Sequence, residues 1–454
     1  MTKKQAVILS GIRNRDSCFD APLTELIQIL NQDYSETKHF QLDQFNIAHC
    51  NGCFGCWVKT PGVCKAADDG RDIIKSVIQS DMTILYSPVT FGGYSSTLKV
   101  IVDRFIPIVL PFFGKFHGET HHSLRYSVYP RLVGIGVRNH DREKEDQIFK
   151  TLVGRNALNF HASSYAAEVI DCNDDIEAIK DSIKEVVSLS DPLPSRQQVT
   201  SFFPKVSENH PFDDKQKAPG KVLLIVGSPK IKHRSTSDVL GRYLLDGLKG
   251  AGWQTESLTL KRSLVREKGR NELCLVVDRA DLIVFAFPLY IDSLPFLVTK
   301  ALEVIADHKN TSQVKKPQRV FTIINNGFPE PYQNSLALAI CRSFSDQIGF
   351  YWAGALAMGA GEALCSGQSL DEKKRPGPPV KHVVKALDMA SDKLSKGNTV
   401  GTSIQTMISK SPIPIVPFGL WCWLFTKIGG NWWKRQALEY NVKEEELYVK
   451  PYAD

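Results

Sequence analysis

Short apolar runs alternate with amphipathic stretches along most of this 454-residue chain. VILS is followed by APLTELIQILNQ, then HFQLDQFNI, GRDIIKSVIQS and DMTILYS. Continuous apolar strands bracketed by helical periodicity predict a parallel sheet covered on both faces. Strand–helix alternation with short connections predicts an α/β, doubly wound fold.

The pattern runs through twice. QAVILSGIRNR (5–15) matches KVLLIVGSPKIK (221–232), and DMTILYSPVTFGGYSSTLKVIVDRF (81–105) matches DLIVFAFPLYIDSLPFLVTKALEVI (281–305). In the second pair Asp81 aligns with Asp281 and Pro88 with Pro288. RLVGIGVRNHDREKEDQIF (131–149) matches RVFTIINNGFPEPYQNSLAL (319–338). The first copy carries extra residues between its first and third strands. Two tandem parallel-sheet domains follow, over 1–190 and 220–400. The Pro-rich, polar stretch 191–219 reads as a linker, and 401–454 as a Trp-rich extension. That extension is expected to pack over the second copy or a partner chain.

Composition narrows the class without naming a chemistry. Hydrophobic content of 43% and charged content of 23% are globular values, and the net charge of +7 comes from mixed signs. A nucleic-acid partner is not expected. The basic N-terminus lacks a signal-peptide core, and no apolar run reaches about eighteen residues. A cytoplasmic, reducing environment is therefore expected, without disulfides.

In a doubly wound sheet, ligands sit beyond the carboxyl ends of the strands. After the first strand of copy two, Gly227 allows a tight turn, and Ser228, Ser235, Thr236 and Ser237 offer hydroxyls before a helix. The combination suits a phosphate, and equally an ordinary capped helix. Copy one has Ser10, Gly11, Arg13, Arg15 and Ser17 at this place. After the third strand, copy one offers Pro88, Val89, Thr90, the ring of Phe91, and Gly92 with Gly93, which admit a flat ligand. Copy two offers Pro288, Leu289 and Tyr290 without the glycine pair. Asn325, Asn326 and Tyr332, after its fourth strand, are within reach of a ring or a substrate. His117, His121 and His122 fall in a stretch read as a loop, where a metal site is disfavoured.

HCNGCFGCWVKTPGVC (49–64) places Cys50, Cys53, Cys56 and Cys64 in one short stretch. In a reducing compartment such a cluster reads as metal ligands or redox thiols. Three cysteines at steps of three resemble a [4Fe–4S] run more than a pair of zinc knuckles. A redox dithiol and four plain thiols remain alternatives. No acid–base pair or nucleophile stands out elsewhere.

The cysteine run, followed by YSPVTFGGYSSTLKVIVDRF, resembles the NAD(P)H-dependent FMN reductases of the flavodoxin-like class, and more narrowly the iron–sulfur flavoproteins. The likeness covers about residues 5–172, and the second copy shares the fold through GSPK, STS and AFPLYIDSLP. It implies two tandem flavodoxin-like domains, FMN as cofactor, NAD(P)H as donor, and a [4Fe–4S] cluster on the four cysteines. It implies phosphate contacts from Ser228, Ser235, Thr236 and Ser237, and ring contacts from Pro88, Val89, Thr90, Phe91 and Gly92. It also implies oligomers in which one subunit's cluster faces another's flavin. The two copies then form an internal pseudo-dimer, open to further homo-oligomerisation, that passes electrons to an acceptor. The rival expectation is a non-catalytic electron carrier, or an interaction scaffold with a zinc-filled or empty cysteine site.

Overall fold

A computed structural model describes residues 4–13, 17–194, 219–230, 234–312, 316–371, 380–410 and 416–453. The chain divides into two compact units, one of Met1–Gln198 with Thr426–Asp454, the other of Val199–Phe425. Nearly all of the stretch read as a linker lies outside the described residues.

The first unit holds a five-stranded parallel sheet of β1 (Gln5–Ser10), β2 (Glu36–Gln41), β3 (Met82–Pro88), β6 (Arg131–Arg138) and β7 (Tyr165–Asp171). Its order is β2-β1-β3-β6-β7. The second unit holds β8 (Lys221–Val226), β9 (Gln254–Thr259), β10 (Leu282–Pro288), β11 (Arg319–Asn325) and β12 (Tyr351–Met358). Their order is β12-β11-β10-β8-β9, the same arrangement read from the other edge. Counted along each unit, both sheets follow 2-1-3-4-5, the flavodoxin-like order with its crevice between the first and third strands.

Alternate positions of the first sheet face opposite layers, as a two-residue repeat requires. Ile8, Ile84, Tyr86, Val133 and Ile135 pack with Leu23, Leu26 and Leu30 of α1 (Asp20–Asp33) and Ile179 and Ile183 of α6 (Ile176–Ser188). Strand β2 is polar and only half-buried, as an edge strand can be.

The internal repeat extends to individual bonds. Asp81 accepts from the Gln5 N–H at 2.7 Å, and Asp281 accepts from the Lys221 N–H at 2.7 Å. Each carboxylate fixes the start of its first strand beside its third. At the other end of these strands, the Gly11 N–H donates to Tyr86 O and the Gly227 N–H to Ala286 O. A Cβ on Gly11 would lie 2.6 Å from Leu98 Cβ, and one on Gly227 would lie 2.2 Å from Val298 Cγ2. Both glycines are there because the helix that follows the third strand comes too close for any side chain.

Besides the cysteine loop, the first copy carries an inserted hairpin after its third strand. The stretch 111–130, expected to be a loop, lies largely in an antiparallel hairpin of β4 (Val109–Phe116) and β5 (Glu119–Leu124). His117 and Gly118 form its two-residue turn, both at positive φ (48° and 87°), which suits hairpin twist. His121 is fully buried, its Nε2 2.9 Å from the Glu119 carboxylate, and Arg155 pairs with the same carboxylate. The pair of charges holds the Glu119 carboxyl at about 2 against the upward push of burial.

Gly11→Ala is expected to destabilise the first unit by about 1–3 kcal/mol, the usual range for overpacking. Urea unfolding followed by a first-unit probe checks this.

Candidate functional site

The cysteine loop leaves β2 at the carboxyl edge of the first sheet and ends at α3 (Gly70–Ile78). A buried ion pair fixes its two ends. Arg104, 1% exposed, donates to both carboxylate oxygens of Asp68 at 2.9 and 3.0 Å and to Ala48 O at 2.8 Å. Asp68 in turn accepts from the Ala48 N–H at 2.8 Å, and Asp69 from the Asn46 N–H at 2.8 Å. Burial pushes the Asp68 carboxyl up, but the Arg104 hydrogen bonds and the Ala48 N–H outweigh it and hold it below the ordinary carboxylate range. Arg71 Nε ties down Cys64 O at 2.9 Å.

Between these anchors the backbone turns sharply. Gly52 and Phe54 take left-handed conformations (φ 58° and 52°) on either side of Cys53. A short helix, α2 (Gly55–Val58), then carries Cys56, and the Gly62 N–H returns to Cys56 O at 2.8 Å. Trp57, 2% exposed, donates its Nε1–H to Ile106 O and Val109 O.

Cys53 is exposed, and Cys50, Cys56 and Cys64 are half-buried. Burial first, and then the charge of Asp103 and the neighbouring thiols, push the Cys50 thiol up to about 12; burial and the neighbouring thiols push Cys56 well above its ordinary value. Among the described residues no three His, Cys, Asp or Glu side chains draw together as they would around a single ion. The four thiols share one anchored loop, and thiolates are the donor type that iron–sulfur centres use.

The extension divides: Thr402–Ile408 packs on β12 of the second unit, as expected, whereas the residues from Thr426 on belong to the first. In the first unit, Trp433 meets the rings of Phe54 and Trp57 edge-on at 5.2 and 4.9 Å, and Phe54 stacks on Trp57. Trp57 also touches the ring of His122, which lies against Phe113. Burial, and then the charge of His121, pushes His122 down to about 3, so it stays neutral.

The other predicted residues sit as follows. Ser10 closes β1 with its hydroxyl fully buried and without a partner among the described residues. Arg13 reaches across to the hydroxyls of Ser96 and Thr97 at 2.9 and 3.0 Å, at the start of α4 (Ser96–Val102). Ser17 opens a short turn; its side chain, like Arg15, lies outside the described residues.

After β3, Thr90 and Gly93 exchange backbone bonds around Phe91 and Gly92, both at positive φ. Pro88, Val89 and Thr90 remain half-exposed, whereas Phe91 is only 6% exposed. Phe91, expected to offer a ring face, is thus largely buried here. Gly92 has a second reason to be glycine, since a Cβ there would lie 2.8 Å from Ile148.

The second unit builds the same turn without glycine. Tyr290 and Ser293 exchange the two backbone bonds, and Ile291 and Asp292 take φ of 50° and 54°. A β-branched residue there is a true outlier. Pro288, Leu289 and Tyr290 keep partial exposure.

Its hydroxyl cluster, by contrast, turns inward. Ser235 caps the following helix, α7 (Thr236–Gly250), by accepting from the Asp238 N–H. Thr236 donates to Gly361 O and Ser237 to Asn325 Oδ1. Ser228 is 5% exposed, and Lys230 pairs with Glu362 at 2.8 Å. Asn326, 2% exposed, bonds Glu330 O through its amide and accepts from Asn334. These side chains brace the loops of the second unit. Two shallow grooves of that unit, one lined by Tyr243, Lys381 and Asp388 and the other along Glu267–Arg279, contain none of the predicted ligand residues.

Sequence reasoning missed Arg104, Asp68 and Arg125. Two adjacent aspartates, Asp68 and Asp69, shortly after the fourth cysteine were the available signal for Asp68; nothing local marks either arginine.

A family model described as NADPH-dependent FMN reductase matches residues 5–127. An iron–sulfur flavoprotein of Methanocaldococcus jannaschii is 35% identical over 88 residues, 19% of this chain and 45% of the relative. An iron–sulfur flavoprotein of Archaeoglobus fulgidus is 31% identical over 94 residues, 21% of this chain and 40% of the relative. The chain thus spans about half the length of the relatives it matches, or less. A solved NAD(P)H:quinone oxidoreductase from Methanothermobacter marburgensis is 15% identical, with a TM-score of 0.27, covering 39% of this chain and 96% of that one.

Asp68→Asn strands the buried Arg104 charge and is expected to cost about 3–5 kcal/mol. Urea unfolding of the first unit and amide exchange over 46–69 would show it. For His122, burial lowers the folded-state pKa, so stability falls as pH drops below the unfolded value of about 6.5 and continues falling towards about 3. His122→Phe is expected to flatten that slope, measured by thermal unfolding between pH 7 and 4.

Proposed function

We propose, from the membership of residues 5–127 in the NADPH-dependent FMN reductase family, that this chain is a flavin-dependent oxidoreductase with an iron–sulfur centre on its cysteine loop. The anchored loop of Cys50, Cys53, Cys56 and Cys64, at the carboxyl edge of a flavodoxin-like sheet, carries the reading.

The first unit holds the flavin in this account. Ser10 has a buried hydroxyl still able to donate, and Arg13 brings a cation to the neighbouring loop. Both suit the phosphate of FMN. The half-exposed edge of Pro88, Val89 and Thr90 flanks the ring. In the second unit Val226 stands at the position of Ser10, and the hydroxyls of Thr236 and Ser237 already bond within the protein, which argues for one FMN per chain.

Bound FMN supplies hydride acceptance from NAD(P)H and release of electrons singly, with the cysteine-bound centre as the one-electron relay. The protein's part is positional. The left-handed turn after β3 presents its half-exposed residues at a fixed place. The Asp68–Arg104 pair holds the cysteine loop against the same sheet edge. Buried tryptophan keeps water from one side of that loop.

Anaerobic purification followed by absorption spectroscopy and assays for iron, sulfide, zinc and FMN tests the proposal. Iron and sulfide with about one FMN per chain are expected, with NADH or NADPH oxidation in the presence of an added acceptor. Cys53→Ser should remove iron and leave flavin bound. Arg13→Ala should weaken FMN retention at least several-fold, and Ser237→Ala should not. Colourless protein with neither iron nor flavin would end the reading.

A further inference from the structure

The C-terminal segment of the first unit lies against the cysteine loop through several independent contacts. Trp433 is 6% exposed against Phe54 and Trp57. Lys59 sits over the ring of Tyr440, 5.7 Å from its centroid. A Cβ on Gly62 would lie 2.6 Å from the ring of Pro451, so glycine is what lets this segment close down. The Tyr452 N–H meets Tyr126 Oη at 3.3 Å, and Leu447 is fully buried.

At the centre of these contacts is Arg125. It is 2% exposed and donates only to neutral carbonyls: Pro107 O at 2.8 Å, Val109 O at 3.4 Å, Leu447 O at 2.9 Å and Val449 O at 2.7 Å. Among the described residues it has no carboxylate partner. Its Nη1 lies 3.5 Å from where a Gly62 Cβ would stand, on the cysteine loop itself. A buried cation with no counter-charge is costly. A group of opposite sign that the adjacent cysteine loop can supply is a thiolate-ligated centre, and Cys56 is among the groups close enough to act on Arg125.

We propose that residues 426–453 form a built-in cover over the cysteine site, latched by Arg125, whose guanidinium also supplies the positive charge that balances an anionic centre on Cys50, Cys53, Cys56 and Cys64. The balancing role rests on the iron–sulfur reading above; the covering role does not. Arg125 is a positioning residue in this scheme. Covering the loop slows the entry of oxygen and chelators, and a nearby fixed positive charge favours the reduced, more negative state.

Two measurements on the full chain test this. The first is the rate at which a ferrous chelator strips iron from anaerobically purified protein. The second, on iron-free protein, is the rate of iodoacetamide labelling of Cys50 and Cys56, read by peptide mass, with exposed Cys53 as internal control. Trp433→Ala and Gly62→Ala should each speed chelation and the labelling of Cys50 and Cys56 by tenfold or more, with FMN content and Cys53 labelling unchanged. Arg125→Met should shift the midpoint potential of the centre to a more negative value, and Arg125→Lys should restore part of the shift. Variant rates equal to wild type would overturn the cover. An unchanged potential in folded Arg125→Met would overturn the charge role. Wild-type protein without iron, yet with Cys50 and Cys56 protected until Trp433 is removed, would sink the iron–sulfur reading while leaving the cover intact.

Discussion

Everything on the cysteine loop depends on the two-point contact between Arg104 and Asp68. A loop of this length has no regular backbone pairing of its own over most of its course. Its entry and exit must be tied together by side chains or it would sample many shapes. Arg104 and Asp68 make that tie where water is excluded, and the fork of the guanidinium fixes direction as well as distance. The turns at Gly52 and Phe54, the placement of Cys56 on α2 and the return of Gly62 all hang between those ends.

The two units show which parts of a shared plan have stayed fixed. Asp81 and Asp281 make the same bond to the start of the first strand, and Gly11 and Gly227 give way to the same crowding. The turn after the third strand is kept even where Ile291 must enter a left-handed conformation at an energetic cost. Local strain retained without glycine points to a geometry worth holding. The hydroxyls have not stayed fixed: Ser10, without a partner among the described residues, has Val226 as its counterpart, while Ser235, Thr236 and Ser237 are absorbed into the second unit's own bonds.

Much of the architecture was legible because it rests on short-range pattern. Apolar strands, helical periodicity and the paired aspartates predicted two parallel sheets before any coordinates. The glycines after the first strands were legible as turns, although their cause, a helix packed a few ångströms away, is a tertiary fact. The hairpin over 109–124 was missed since its polar histidines hid the two-residue alternation; Glu119, His121 and Arg155 are buried there as mutually satisfied charges. A ring next to a glycine looks available in the sequence, and the burial of Phe91 is a tertiary fact that no local pattern carries. Arg125 and the tail were illegible in principle. Their partners lie more than three hundred positions away along the chain, and no local pattern carries that information.

The order in which this chain is made adds one more consequence. The first unit is interrupted: its sheet and cysteine loop are synthesised early, and the residues that close over that loop emerge only after the whole second unit. During translation the thiols therefore stand uncovered for as long as the ribosome needs to make the intervening residues. On the iron–sulfur reading and the cover proposed above, delivery of the centre would fall within that interval.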